Sequence, residues 1–208
     1  MSIVSLRDNP FWVNSQYQIE GLKKFIEYIR NQNPDNSKWL EIGSYTGESA
    51  KIFLSYDFIK KLYCIDTWSK HPELTLNSMP FLEAEDLNKV KQIFFTKLDS
   101  EIQSGRCVPI EDSSKNAFEY IDEMFDVIYL DGSHSRKDVL QDLTLWYSKL
   151  KFGGFMCGHD FTFDQNSALY TCSQGIQDFI SSISRFKTIE FHIFKDGSWA
   201  FQKLEKYF

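Results

Sequence analysis

No two cysteines in this 208-residue chain stand close enough to form a C-x-x-C pair. Cys64, Cys107, Cys157 and Cys172 are scattered, and three of them fall in apolar runs, where a thiol behaves as a small hydrophobe. They read as reduced and structural, which fits a cytoplasmic protein. No block or stripe of Lys and Arg occurs, and the net charge is −6. That excludes the basic surface expected of a nucleic-acid or anionic-membrane partner. No apolar run reaches bilayer length, and Met1 to Phe11 lacks the basic-then-apolar pattern of a secretion signal. Internal repeats and low-complexity linkers are also missing, so one domain is expected. With 42% hydrophobic residues, a chain of this length buries a sizeable core without covalent staples.

What the chain does have is alternation. Ile19, Leu22, Ile26 and Ile29 recur at helical spacing, predicting an amphipathic helix over 15–31, stopped by Asn33-Pro34-Asp35-Asn36. This helix, with Phe11-Trp12, packs either on the core or on another subunit of a homo-oligomer. Strands are predicted at 39–42, 61–65, 106–110, 125–130 and 155–157. Helices alternate with them at 48–56, 83–100, 113–121, 135–150 and 175–183. Two further strands, 188–194 and 198–202, flank Asp196-Gly197 as a hairpin. Strand–helix alternation implies an α/β fold of the Rossmann-like, doubly wound kind. The sheet is mostly parallel and seven-stranded, with an antiparallel C-terminal edge hairpin. Two connections, Thr67–Leu82 and Phe161–Ser173, are long enough to act as substrate loops, or simply to decorate the surface.

Polar residues collect where strands end, and in an open α/β sheet ligands bind beyond the carboxyl ends of the strands. Glu41-Ile42-Gly43-Ser44-Tyr45-Thr46-Gly47 joins the first strand to a helix. Its glycines permit a tight turn and a close approach of ligand to backbone. It is not G-x-G-x-x-G, because Tyr45 occupies the second glycine position, so a nucleoside without a pyrophosphate suits it better. Asp66, followed by Thr67 and Trp68, ends the second strand about 20 residues on, the spacing of a carboxylate that receives ribose hydroxyls. It can also be a plain turn cap. Glu111-Asp112-Ser113 follows the third strand, where a carboxylate can accept from an adenine amine and Asp or Ser can cap a helix. Asp131-Gly132-Ser133-His134 and Gly158-His159-Asp160 end the fourth and fifth strands. Asp131 and Asp160 can converge on a hard cation such as Mg²⁺. His134 suits proton removal from a substrate hydroxyl, and His159 and Asp160 suit substrate contact. Trp68, Phe161 and Phe163 either line the site or belong to the core.

These segments, together with the run from Val139 through Asp142, Leu143, Trp146, Gly153 and Gly154 to Asp160, resemble class I S-adenosylmethionine-dependent methyltransferases. More narrowly they resemble the macrocin (TylF)-like sugar O-methyltransferase branch. The resemblance covers residues 38–160. It implies a helical extension (1–36), a cofactor-binding core (38–160), and a C-terminal substrate loop with edge strands (161–208). It implies S-adenosylmethionine held by Glu41, Gly43, Ser44, Gly47, Asp66, Thr67, Trp68, Asp112, Ser113 and Asp131. It implies Asp131 and His134 as catalytic residues, with Asp131 and Asp160 as ligands of a divalent cation. Relatives carry a second acid where this chain has His159. The implied activity is O-methylation of a small hydroxylated acceptor such as a sugar or glycoconjugate. A nicotinamide-dependent (NAD) oxidoreductase and a non-catalytic cofactor-binding subunit are the competing readings.

Overall fold

A computed structural model describes residues 16–32, 37–69, 84–184 and 189–204. Phe11-Trp12, the helix stop at 33–36 and most of the 67–82 connection lie outside the described residues. The elements follow in chain order as α1 (Gln16–Gln32), β1 (Ser37–Ile42), α2 (Glu48–Leu54), β2 (Ile59–Asp66), α3 (Ala84–Lys97), α4 (Asp99–Gln103) and β3 (Cys107–Glu111). Then come α5 (Ser114–Tyr120), β4 (Phe125–Leu130), α6 (Arg136–Trp146), β5 (Leu150–Gly158), α7 (Tyr170–Ile183), β6 (Phe191–Ile193) and β7 (Trp199–Gln202).

The seven strands form one sheet in the order β3-β2-β1-β4-β5-β7-β6. The first five are parallel, and β7 runs antiparallel to both β5 and β6. This is the expected fold class. The order reverses between β1 and β4, which opens a crevice beyond their carboxyl ends.

Central strands are buried on both faces, so their side chains divide between two cores. Trp39, Cys64, Val127, Tyr129 and Cys157 point to the face covered by α1, α2 and α3. Leu40, Ile42, Ile65, Ile128, Leu130 and Met156 point to the face covered by α5, α6 and α7. The apolar stripe of α1 (Leu22, Phe25, Ile26, Ile29) packs on this chain's own sheet, with the Phe25 ring 5.6 Å from Tyr129. All four cysteines are free and buried. Among the described residues no helix is long and apolar enough to cross a membrane.

Several boundaries differ from the sequence expectation, three of them for reasons visible in the packing. The helix predicted over 83–100 breaks at Leu98, whose backbone (φ −108°, ψ 14°) leaves the helical region while its side chain is buried. The strand predicted at 155–157 begins at Leu150 and runs through Gly153-Gly154, with a shift of register opposite Phe125 to Val127. The helix predicted from Gly175 begins at Tyr170, because Gly175 is a packing position on α6 rather than a start signal.

Candidate active site

The last rung of the parallel ladder carries five of the residues singled out in the sequence. Asp112 N donates to Asp66 O (3.1 Å), Gly43 N to Ile65 O (2.8 Å), Asp131 N to Ile42 O (2.8 Å) and His159 N to Leu130 O (3.0 Å). Asp112, Asp66, Gly43, Asp131 and His159 therefore stand in one row, across the ends of β3, β2, β1, β4 and β5.

Gly43 (φ +90°) is where β1 and β4 come closest beyond their ends. A Cβ there would lie 2.2 Å from the Asp131 carbonyl oxygen, so no other residue fits without moving the backbone. The turn leads to Gly47 and α2. Glu41, just before it, points into the apolar core on the α1–α3 side and is 0% exposed. Its carboxyl accepts from Ser44 Oγ (2.7 Å) and from Ser49 Oγ. Burial raises its pKa to about 7, against the pull of the two serine hydrogen bonds. Glu41 thus locks the glycine turn onto the first turn of α2.

Asp66 ties that turn to β2. One carboxylate oxygen accepts from Tyr45 N and the other from Trp68 N, each at 2.8 Å. Trp68 Nε1 donates to Tyr45 O (2.8 Å), and its buried ring packs on Phe94 and Phe95. Thr67, half-buried, exchanges hydrogen bonds with Ser69. Asp112 sits on the opening of α5: it accepts from Ser113 N, Asn116 Nδ2 and Tyr120 OH, while Ser113 Oγ caps the helix through Asn116 N. The Asn116 hydrogen bond, foremost, keeps the Asp112 pKa low.

At the β4 and β5 ends the side chains meet. His134 Nε2 lies 2.7 Å from Asp160 Oδ2, and His159 Nδ1 lies 2.9 Å from Asp160 Oδ1. Burial works to raise the Asp160 pKa, but the hydrogen bonds to His134 and His159 outweigh it and hold the carboxyl well below its usual range. The same Asp160 hydrogen bond raises the pKa of His134. Burial would lower His159, yet Asp160, Asp131 and Asp196 push it up to about 9. Asp131, facing the same pocket, is raised to about 6, first by burial and then by the charges of Asp160 and Asp196. One donor atom each from Asp131, His159 and Asp160 lies within 4.8 Å of the others, a spacing that suits a small cation.

Tyr45, Trp68 and Asp160 are the described non-glycine residues at positive φ (45°, 39° and 64°), and all three border this edge. Backbone strain of that kind persists where surrounding bonds enforce it, and it concentrates at functional sites. The connection from Asp160 and the start of α7 are tied to each other and to the β4 end. Thr162 N donates to Ser173 Oγ (2.8 Å), and Thr171 Oγ1 donates to His134 O (2.7 Å). Of the three aromatics noted in the sequence, Trp68 and Phe161 are buried; Phe163 is 73% exposed and rests on the Phe161 ring at 5.2 Å.

Sequence reasoning missed Asp196. It lies in the β6–β7 turn with a side chain 1% exposed, and its Oδ2 is 3.9 Å from His159 Nε2. The only local signal was an Asp-Gly turn, which says nothing of burial.

A strand-end row of acids, a glycine turn at the β1–β4 crevice and this sheet order define a class I methyltransferase fold. Residues 40–161 match the family described as a methyltransferase domain, so the chain belongs to that family. No protein of curated function matches it in sequence. Solved structures of the same fold include CalS11, a TDP-rhamnose 3'-O-methyltransferase of calicheamicin biosynthesis (12% identity, 90% of this chain and 80% of that one, TM-score 0.60). Another is an O-methyltransferase from Bacillus cereus in complex with SAH (14% identity, 93% and 84%, TM-score 0.58). A third is an rRNA methylase from Streptococcus thermophilus (12% identity, 93% and 99%, TM-score 0.56). At these identities the likeness is one of fold.

Proposed function

We propose that this chain uses S-adenosylmethionine to O-methylate a small hydroxylated acceptor, a sugar or glycoconjugate, with His134 as the base. The observation that carries the reading is the His134–Asp160 pair at the β4–β5 ends, beside the Gly43–Asp131 contact. Methyl transfer from a sulfonium is a displacement at an already activated carbon. The protein has to align the acceptor and take its proton. With His134 Nε2–H held on Asp160, Nδ1 is the nitrogen that receives the proton.

The row Asp66, Asp112, Asp131 suits a donor that carries a sulfonium and an amino group, and repels a pyrophosphate. Tyr45 N, at the place where a dinucleotide phosphate would need a free donor, is bonded to Asp66. Both observations disfavour the NAD reading. An acidic chain of net charge −6 suits a small acceptor better than RNA. CalS11 lends support for a sugar, since its name gives it a sugar-nucleotide substrate on the same fold. In this reading Gly43, Ser44 and Gly47 face the methionine part, Asp66 and Thr67 the ribose, Asp112 and Ser113 the adenine, and His159 with Asp160 the acceptor side. Glu41 and Trp68 shape the turn from behind. Asp131 and Asp160 fit a divalent cation, which when bound would lower the pKa of the acceptor hydroxyl.

Calorimetry with S-adenosylhomocysteine tests the cofactor. We expect saturable micromolar binding to the purified protein; no heat at millimolar ligand overturns the proposal.

A further inference from the structure

We propose that His159 is the third protein ligand of the divalent-cation site, that Asp196 orients it, and that this donor set takes Mn²⁺ or Co²⁺ in preference to Mg²⁺. The inference deepens the proposed function, on which its catalytic meaning rests.

Ligands about 2.1 Å from an octahedral ion stand about 3 Å apart along an edge and about 4.2 Å apart across it. The 2.9 Å separation of His159 Nδ1 and Asp160 Oδ1, a hydrogen bond in the metal-free site, equals such an edge, so an ion bound there takes the place of the proton on Nδ1, and the Asp131 donor within 4.8 Å closes on it with a small inward shift. The other oxygen of Asp160 is taken by His134, so one carboxylate joins the ion site to the proposed base.

A second observation comes from behind the histidine. An imidazole that binds a metal through one nitrogen characteristically gives its other N–H to a carboxylate, which fixes the ring and strengthens the ligand. His159 Nε2 faces Asp196 Oδ2 at 3.9 Å. Asp196 is enclosed, held by Ser198 Oγ (2.9 Å) and Ser198 N (3.3 Å), and roofed by Gly21 of α1. A Cβ on Gly21 would stand 2.2 Å from Asp196 Cγ. Enclosing a carboxylate under a helix is costly unless partners compensate it. Ser198 supplies two of those partners, and the His159 imidazole at ion-pair distance supplies the opposite charge.

The donor chemistry then sets the preference. Oxygen-only sites suit Mg²⁺, whereas an imidazole raises affinity along the series from Mn²⁺ to Co²⁺ and beyond. The test uses the whole chain, freed of metal with EDTA and titrated by calorimetry with MnCl₂, CoCl₂ and MgCl₂, with the Co²⁺ visible spectrum recorded alongside. We expect Mn²⁺ and Co²⁺ to bind at least tenfold more tightly than Mg²⁺. His159→Asp should remove that preference. Asp196→Asn should weaken Mn²⁺ about 10- to 100-fold, while S-adenosylhomocysteine affinity stays within twofold. If His159→Asp does not fold, His159→Ala decides the same point through loss of the Co²⁺ spectrum. Absence of saturable Mn²⁺ and Co²⁺ binding, or a preference untouched in the His159 variants, overturns the proposal. S-adenosylhomocysteine binding without metal binding would sink the ion site and leave the methyltransferase reading standing; the opposite pattern would do the reverse.

Discussion

Glu41 shows how a single residue can serve the turn at a cost to stability. Its carboxyl is enclosed in the core beneath the glycine turn, and burial lifts its pKa from 4.5 to about 7. The folded state therefore holds the proton more tightly than the unfolded chain does. That contribution is complete below pH 4.5 and is lost as pH rises through 7, a swing of about 3 kcal/mol at most. Urea unfolding at pH 5.5, 6.5 and 8 should show wild-type stability falling from this group, with Glu41→Gln flattening the fall. A variant whose pH dependence parallels the wild type would refute the assignment. His134 gives the second outcome at this scale. His134→Ala should lower turnover about 10²- to 10⁴-fold, the range of general-base catalysis, with S-adenosylhomocysteine affinity within twofold. Unchanged turnover in a methyl-transfer assay with the true acceptor removes His134 as base. The sequence made Gly43, Asp66, Asp112, Asp131, His134 and Asp160 legible because each follows an apolar strand, a local pattern. Asp196 was not legible, because its burial depends on Gly21, which reaches it only through the tertiary fold.

At the scale of elements, the signals that misled were glycines and a buried leucine. The strand expected at 155–157 left out Gly153-Gly154, yet the strand runs through them: Gly153 N donates to Lys203 O (2.7 Å), and Lys203 N to Gly154 O (2.9 Å). Gly175 looked like a helix start, yet it lies inside α7, where that helix crosses α6. A Cβ at Gly175 would stand 2.7 Å from Arg136 O and 3.0 Å from Val139 Cβ. Backbone cannot step aside cheaply, so overpacking should cost about 1–3 kcal/mol. The helical gain of alanine over glycine returns about 1 kcal/mol. Gly175→Ala should therefore lower the urea midpoint modestly without changing the slope. It should also disturb the site, because Thr171, one turn earlier on α7, holds the His134 carbonyl. A rise in the midpoint would show that α6 and α7 have slack at this crossing. Helix and strand identity were readable from periodicity because the core faces repeat locally. Their ends were not, because Leu98, Gly153 and Gly175 take their conformation from neighbours on other elements.

At the scale of the whole molecule, alternation of strands and helices was enough to predict the layered sheet. The order of its strands becomes visible only in three dimensions, and that order makes the site. It sets β1 beside β4, so that Asp112, Asp66, Asp131 and Asp160, from four of the five parallel strand ends, border one crevice between two helical layers. A ligand gripped across that edge touches residues on both halves of the sheet and binds the folded chain alone, so it must raise the stability of the whole domain. At 100 times its dissociation constant, S-adenosylhomocysteine should add about 2.7 kcal/mol. For a domain of this size that corresponds to a rise of about 5–10 °C in Tm. NAD⁺ at the same concentration should leave Tm within about 1 °C, since its pyrophosphate meets Asp66, Asp112 and Asp131 and finds Tyr45 N already engaged. Differential scanning calorimetry with each ligand separates the two. A shift with NAD⁺ and none with S-adenosylhomocysteine would reverse the electrostatic argument, because it would mean that the negative edge accommodates phosphate and rejects an ammonium group. Ionic strength gives the same argument a second reading. The amino group of S-adenosylhomocysteine is drawn partly by exposed charge at this edge, so its affinity should weaken as salt rises from 50 to 500 mM. An affinity independent of salt would place the attraction in the enclosed contacts around Asp131 rather than in solvent-facing members of the row such as Asp112.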